Sequence, residues 1–141
     1  MDLPPQSDWY GFFYKINKKM NKKIAVIGAG LAGITFASIM KDKFNVKIFE
    51  KSRGIGGRMS TRKETPFIFD HGAQFFKIKT TECKEFFSQL FTQEIIRPWS
   101  FKLAYFEGNH LREIKIIKNA DKFYVGVPNM DSILKYISRD C

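Results

Sequence analysis

Residues Lys23–Arg58 read KIAVIGAGLAGITFASIMKDKFNVKIFEKSRGIGGR, and this stretch decides the fold. Ile24–Ile27 is an unbroken apolar run of the kind that a parallel strand buried on both faces requires. It leads directly into the pattern Gly28-x-Gly30-x-x-Gly33, and an apolar segment of helical character follows. The order strand, glycine turn and helix predicts a Rossmann-like βαβ unit in an α/β fold.

Each glycine of this pattern has a separate physical role. Gly28 permits a tight turn, Gly30 lets backbone N–H groups approach a pyrophosphate, and Gly33 lets the helix pack closely on the strand. The unpaired N–H groups and the positive end of the helix dipole stabilise an anion at the helix N-terminus, where Leu31 stands. The pattern therefore predicts a phosphate-binding turn that needs no basic side chain.

An acidic residue ends the second predicted strand. Val46–Phe49 runs into Glu50, at about the 20-residue distance past the glycines that dinucleotide folds use. We expect its carboxylate to accept hydrogen bonds from an adenosine ribose and to repel a 2′-phosphate. The site should therefore prefer FAD or NAD to NADP, although Lys51 and Arg53 beside it reduce that preference.

A second glycine segment favours an FAD-binding protein over one that binds only NAD. It reads Arg53-Gly54-Ile55-Gly56-Gly57-Arg58. It resembles the R-x-x-G-G-R element of flavoproteins in the amine-oxidase branch of the glutathione-reductase superfamily. Gly56 and Gly57 allow a second backbone approach to the pyrophosphate, and Arg58 carries a planar, permanently charged fork for phosphate or ribose oxygens.

The resemblance extends along the chain. Phe69–Phe75 is similar to the D-x-G-A-Q-aromatic segment of renalase and its bacterial relatives, and Ile96–Ser100 and Phe123–Ile133 also resemble that family, in the same order. This implies an FAD-dependent oxidoreductase whose flavin ring lies against Gly72–Phe75. Besides the general Rossmann positions, the FAD contacts that the resemblance implies are Ala32, Arg58, Gln74 and Phe75, with Gly72 and Ala73 in the same turn beside the ring. The chain departs from the family at Asn129, where relatives often have glycine and where we expect a left-handed turn.

The sequence divides into three parts. Residues 1–20 read as an extension outside the fold, dispensable for stability, with a Pro-Pro pair, aromatic residues and lysines but no periodic apolar face. Residues 21–78 form the predicted FAD-binding Rossmann-like segment. Residues 79–141 read as the beginning of an α+β substrate domain, because short β segments and helices replace the βαβ pattern.

Within residues 79–141 we expect a helix over Thr81–Phe91 with Phe86, Phe87, Leu90 and Phe91 on its core face. Three strands are predicted next, over residues 102–106, 111–117 and 123–127, with turns at Gly108-Asn109 and at residues 119–121. A helix after Pro128 should pack on these strands through its apolar stripe: Met130, Ile133, Leu134 and Ile137.

Charge and cysteine content argue against several classes of function. The net charge of +10 arises from 24 basic and 14 acidic residues, mostly scattered lysines, which argues against a nucleic-acid-binding module. The two cysteines form no metal-like cluster and suit a reducing cytoplasm; no metal site, signal peptide or membrane span is expected. Neither histidine is assigned to catalysis, and His71 is expected to position backbone or donate hydrogen bonds.

The sequence leaves two functional hypotheses open. The first is an FAD-binding oxidoreductase that transfers hydride from an amine or a dihydronicotinamide-type small molecule to flavin. The second is a truncated or split-gene nucleotide-binding fragment without activity of its own, which requires a second chain carrying the missing C-terminal half. At 141 residues the chain is about half the size expected for such a flavoprotein, and no catalytic residue can be assigned.

Overall fold

The computed structural model describes residues 20–117, 123–139 and 141. The predicted extension over residues 1–20, except Met20, and the predicted turn at residues 119–121 therefore lie outside the described residues. The elements follow in chain order: β1 (Lys23–Ile27), α1 (Leu31–Met40), β2 (Asn45–Phe49), a 3-10 turn (Gly57–Met59), β3 (Arg62–Glu64), β4 (Phe67–Phe69), α2 (Thr81–Phe86), α3 (Ser88–Thr92), β5 (Ile96–Pro98), β6 (Phe101–Glu107), β7 (His110–Ile117), β8 (Tyr124–Gly126) and α4 (Asp131–Ser138).

The βαβ unit forms as predicted. Strands β1 and β2 are parallel, with Ile24 opposite Val46 and Val26 opposite Ile48. Helix α1 connects them, and its buried residues recur at the helical spacing of one face: Ile34, Ala37 and Met40. The predicted α/β class with a Rossmann-like domain is thus the observed one.

The expectation that β1 is buried on both faces is wrong. Val26 packs against α1, but Ala25 and Ile27 point away from it, and Ile27 is 82% exposed. In the described part of the chain β1 and β2 form a two-stranded sheet, and α1 covers one face only. Part of the apolar surface of β1 is therefore left exposed by the described residues.

The segment after the βαβ unit contributes strand pairs rather than more strands to the β1–β2 sheet. Strand β3 pairs with β4, β5 with β8, and β6 with β7, all antiparallel. The predicted strands are confirmed with shifted ends, and His110 begins β7 rather than lying in the turn. An isolated bridge between Phe76 and Tyr124 joins the end of the predicted FAD segment to β8.

The predicted helix over Thr81–Phe91 is broken into two. Thr80 caps α2 through its hydroxyl, which accepts a hydrogen bond from the Cys83 N–H, but Phe87 leaves helical geometry with φ −87° and ψ 2°. The break places Phe87 and Leu90 in the core, while Phe86 and Phe91 pack at its edge. Helical periodicity identified the core residues and missed the break.

Helix α4 buries the stripe that the sequence predicted. Met130, Ile133 and Leu134 are fully buried, and α4 packs against α1 as well as β8. One apolar cluster consequently joins Ala29, Ile34 and Met59 to residues from the second half of the chain. The boundary after residue 78 stays a prediction.

Asn129 does not form the expected left-handed turn. Glu94 is the one non-glycine residue in the described ranges with a positive φ, at 57°. The Asn129 carbonyl accepts a hydrogen bond from the Ser132 N–H and so already belongs to the first turn that leads into α4. Asparagine is tolerated there because that turn has ordinary negative φ.

Candidate dinucleotide-binding site

The first glycine turn joins β1 to α1. Gly28 has a φ of +99°, and its N–H donates to the Phe49 carbonyl at 2.7 Å, which ties the turn to the end of β2. A Cβ on Gly33 would lie 2.1 Å from the Gly28 carbonyl oxygen, so close packing of α1 requires glycine there. A Cβ on Gly30 would meet nothing within 4 Å. Gly30 is therefore not demanded by packing within the chain.

The second glycine segment lies directly against the first. The Gly56 N–H donates to the Ala29 carbonyl at 2.9 Å, and Gly30 and Gly56 form a parallel bridge. Gly57, with a φ of +56°, lies so close that a Cβ on it would be 3.5 Å from the Gly30 Cα. Two segments that the sequence could only place separately thus form one continuous backbone surface.

A groove of about 580 Å³ opens over this surface. Most of its wall is backbone or small side chains, and Arg58 is its one charged residue. Such a groove suits an extended pyrophosphate, because the first residues of α1 and one arginine line it. Its lining is formed by Ile27, Gly28, Gly30, Leu31, Ala32, Gly33, Gly56, Gly57, Arg58, Met59, Ala73 and Phe76.

The structure brings together some of the predicted site residues and leaves others outside the groove. Eight predicted residues line it: Gly28, Gly30, Leu31, Ala32, Gly33, Gly57, Arg58 and Ala73. The remaining six do not: Glu50, Lys51, Arg53, Gly72, Gln74 and Phe75. The sequence-based site list lacked Ile27, Gly56, Met59 and Phe76, of which Gly56 was detectable from the paired glycines.

Glu50 lies immediately after β2 and holds the first turn. One carboxylate oxygen accepts a hydrogen bond from the Ala29 N–H at 2.7 Å, and the other accepts one from the Ser52 N–H at 2.8 Å. These backbone donors, that of Ala29 foremost, lower the pKa of Glu50 from about 4.5 to about 2. The residue is thus a fixed negative charge beside the first glycine turn at any pH near neutrality.

Gly72 and Ala73 pack back on Arg58. The Ala73 N–H donates to the Arg58 carbonyl at 2.6 Å, and a Cβ on Gly72 would lie 2.2 Å from the same oxygen. This contact explains the glycine of the predicted flavin-adjacent segment, which supports the groove wall from behind. Phe75 is 39% exposed and stacks on Trp99 with ring centroids 5.6 Å apart.

The other polar groups near the groove do not assemble a metal site. His71 Nε2 lies 3.3 Å from the Ser60 hydroxyl, a hydrogen bond consistent with the positioning role expected for it. Among residues 20–117, 123–139 and 141, no three His, Cys, Asp or Glu side chains converge. Likewise, no helix in the described ranges is long and apolar enough to cross a bilayer.

A pH series tests the role of Glu50. Because its folded-state pKa is lowered, the carboxylate stabilises the fold fully above pH about 4.5, and this stabilisation is lost as the pH falls towards 2. We expect Glu50→Gln to melt below the parent protein at pH 6 and the gap to become much smaller by pH 2.5. Other carboxylates titrate in both proteins and cancel in the difference. A gap of constant size between pH 6 and pH 2.5 would contradict the assignment.

The fold and the paired glycine segments define the class: a mixed α/β protein with a Rossmann-like nucleotide-binding domain. Residues 26–90 match the family of NAD(P)-binding Rossmann-like domains. That match runs from the end of β1 into α3 and contains all of the residues that line the groove.

Curated relatives match a shorter stretch. The chain is 49% identical over 51 residues to the 4,4′-diapophytoene desaturases (4,4′-diaponeurosporene-forming) of Staphylococcus aureus strains Newman, USA300 and NCTC 8325 / PS 47. The matched stretch is 36% of this chain and spans 10% of the length of each relative.

Proposed function

We propose that this chain binds FAD through the groove described above and is the dinucleotide-binding part of a flavin-dependent oxidoreductase. The observation that carries the proposal is the hydrogen-bonded contact between the two glycine segments, through Gly56 N–H and the Ala29 carbonyl. A single glycine turn binds many nucleotides, whereas two glycine segments joined into one backbone surface, with Arg58 beside it, suit the longer pyrophosphate of a dinucleotide.

Glu50 supports a dinucleotide without a 2′-phosphate. Its carboxylate remains ionised near neutrality, and its oxygens retain lone pairs beyond those used by the Ala29 and Ser52 N–H groups. Ribose hydroxyls can donate to these lone pairs, while a 2′-phosphate would be repelled. FAD and NAD therefore fit the groove better than NADP does.

When bound, FAD supplies the redox chemistry by accepting a hydride. The residues of this chain bind and orient it. The α1 N-terminus and the two glycine segments would hold the pyrophosphate, Glu50 would hold the ribose, and Gly72–Phe75 would contact the ring. An amine or a dihydronicotinamide-type small molecule, as in renalase-like flavoproteins, is the proposed hydride donor. Because the similar Staphylococcus aureus proteins are desaturases, desaturation of a carbon–carbon bond is a third proposed reaction in which the flavin would accept the hydride.

The alternative proposal is a nucleotide-binding fragment that is inactive until a second chain completes it. Its support is the apolar surface that the described residues leave open. Ile27 is 82% exposed, Phe36 41%, Ile39 48% and Phe49 47%, all within the βαβ unit. A helix that is apolar on every side, such as α1, is typical of a buried position. Both proposals assign the chain to the cytoplasm.

Cofactor titration tests the proposed function. We expect FAD to bind the 141-residue chain, with ADP competing for the same site, and FMN to bind at least tenfold more weakly because it lacks the AMP half and so has no pyrophosphate. Quenching of flavin fluorescence measures both affinities. Equal affinity for FAD and FMN, without competition by ADP, would overturn the groove assignment.

A turnover assay separates the two proposals. We expect the 141-residue chain with added FAD to produce no more peroxide from amines or reduced nicotinamides than free FAD does. The reason is that no substrate-positioning residue can be assigned in the described part of the chain, and such positioning accounts for many orders of magnitude in rate. Peroxide formation well above the free-FAD rate would show that the chain is active alone.

A further inference from the structure

The Asp70 carboxylate accepts hydrogen bonds from two parts of the chain that are far apart in sequence. Its Oδ1 accepts a hydrogen bond from the Thr61 hydroxyl at 2.6 Å. Both carboxylate oxygens lie 3.2 Å from the Met130 N–H, 60 residues further along the chain. Asp70 is half-buried, and Met130 is fully buried.

The second half of this contact is made by Thr61. Its Oγ1 accepts a hydrogen bond from the Asp131 N–H at 3.2 Å while the same hydroxyl donates to Asp70. Helix α4 has no side-chain cap of its own at Met130. Asp70 and Thr61 therefore supply the acceptors that an N-cap side chain would supply, from a distant part of the chain.

The same pair closes a loop behind the groove. Thr61 lies three residues after Arg58, and Asp70 lies three residues before Ala73. The two ends are joined twice, by the Thr61–Asp70 side-chain bond and by the Ala73 N–H donating to the Arg58 carbonyl. Strands β3 and β4 form the hairpin between them. The Arg58 carbonyl is thus held by Ala73 of the groove wall, and Thr61 and Asp70, which do not line the groove, close the same loop behind it.

We propose that Asp70 is a positioning residue for dinucleotide binding, acting through Thr61 and the Gly72–Ala73 wall to hold Arg58 against the pyrophosphate. The inference rests on the proposed function of the groove. In this role the Asp70 carboxylate does more than cap a helix. It connects the start of α4, through Thr61 and the adjoining loop, to Arg58 at the end of the second glycine segment. In this proposal Arg58 would contact the second phosphate, which ADP has and AMP lacks, so loss of Asp70 should reduce the preference for ADP over AMP.

The test compares ADP and AMP affinities of variants by titration calorimetry on the full chain. We expect Asp70→Ala to weaken ADP binding by about tenfold or more, the usual consequence of displacing a charge-assisted contact, and to weaken AMP less. Asp70→Asn keeps an oxygen acceptor and should restore ADP binding to within about threefold of the parent. Thr80→Ala is the matched control, because it removes a helix cap at α2 that has no contact with the groove.

The outcomes separate the inference from the proposed function. Parent protein that binds no ADP overturns the proposed function. Parent protein that binds ADP and an Asp70→Ala variant that binds it equally well overturn the inference alone, as does an equal loss for ADP and AMP. If Asp70→Ala does not fold, Thr61→Val serves instead, and an ADP affinity no lower than that of Thr80→Ala overturns the inference.

Discussion

Replacing Gly30 with valine is expected to abolish dinucleotide binding while leaving the fold intact. The backbone of Gly30 has φ −84° and ψ −178°, which any residue adopts, and a Cβ there meets no atom of the chain within 4 Å. The added side chain would instead occupy the groove that we propose binds the pyrophosphate. Losing even two charge-assisted hydrogen bonds, at about 1.5 to 3 kcal/mol each, weakens binding by about 100-fold or more.

Gly54→Val is the matched control for this experiment. Gly54 also has open space where a Cβ would be, and it lies outside the groove lining. We expect both variants to melt within a few degrees of the parent protein and only Gly30→Val to lose ADP binding. Retention of ADP affinity by Gly30→Val would show that the phosphates do not lie over the first glycine turn.

Gly33→Ala is expected to have the largest effect on stability. The new methyl group would lie 2.1 Å from the Gly28 carbonyl oxygen and 3.1 Å from a methyl of Val26, so α1 must move away from β1. Overpacking of this kind costs about 1 to 3 kcal/mol or more, which exceeds the advantage of about 1 kcal/mol that alanine has over glycine inside a helix. We expect the melting temperature to fall by about 10 °C.

Circular dichroism during thermal unfolding measures this effect. Gly54→Ala is the control for the general consequence of exchanging glycine for alanine in this region, and it should melt close to the parent protein. A Gly33→Ala variant as stable as the parent would mean that β1 and α1 are not packed as closely as described.

The sequence predicted the βαβ unit because its signals are local. Ile24 to Ile27, the glycine spacing and the apolar face of α1 each lie within a few residues of the contacts that they make. Burial of the second face of β1 was not predictable, since it depends on what covers Ile27, and nothing in the described ranges does. The break at Phe87 was also missed. Helical periodicity identifies which side chains are buried, but it does not show where the backbone must leave helical geometry to bury them.

The candidate site shows the same division. The separate roles of Gly28 and Gly33 followed from their spacing, and the observed φ of Gly28 and the tight packing at Gly33 agree with them. The contact between Gly56 and Ala29 and the bonds from Asp70 to Met130 join residues 27 and 60 positions apart. No local pattern encodes such pairs, so only the folded chain brings them together.

Mapping ADP onto the backbone amides tests the central claim most directly. In ¹⁵N-resolved NMR spectra of the chain titrated with ADP, we predict that the largest shifts fall on amides of both glycine segments, Gly30 to Gly33 and Gly56 to Arg58, with smaller ones at Ala29 and Ser52, which donate to Glu50. Largest shifts outside these segments, or no shifts at saturating ADP, would contradict the account.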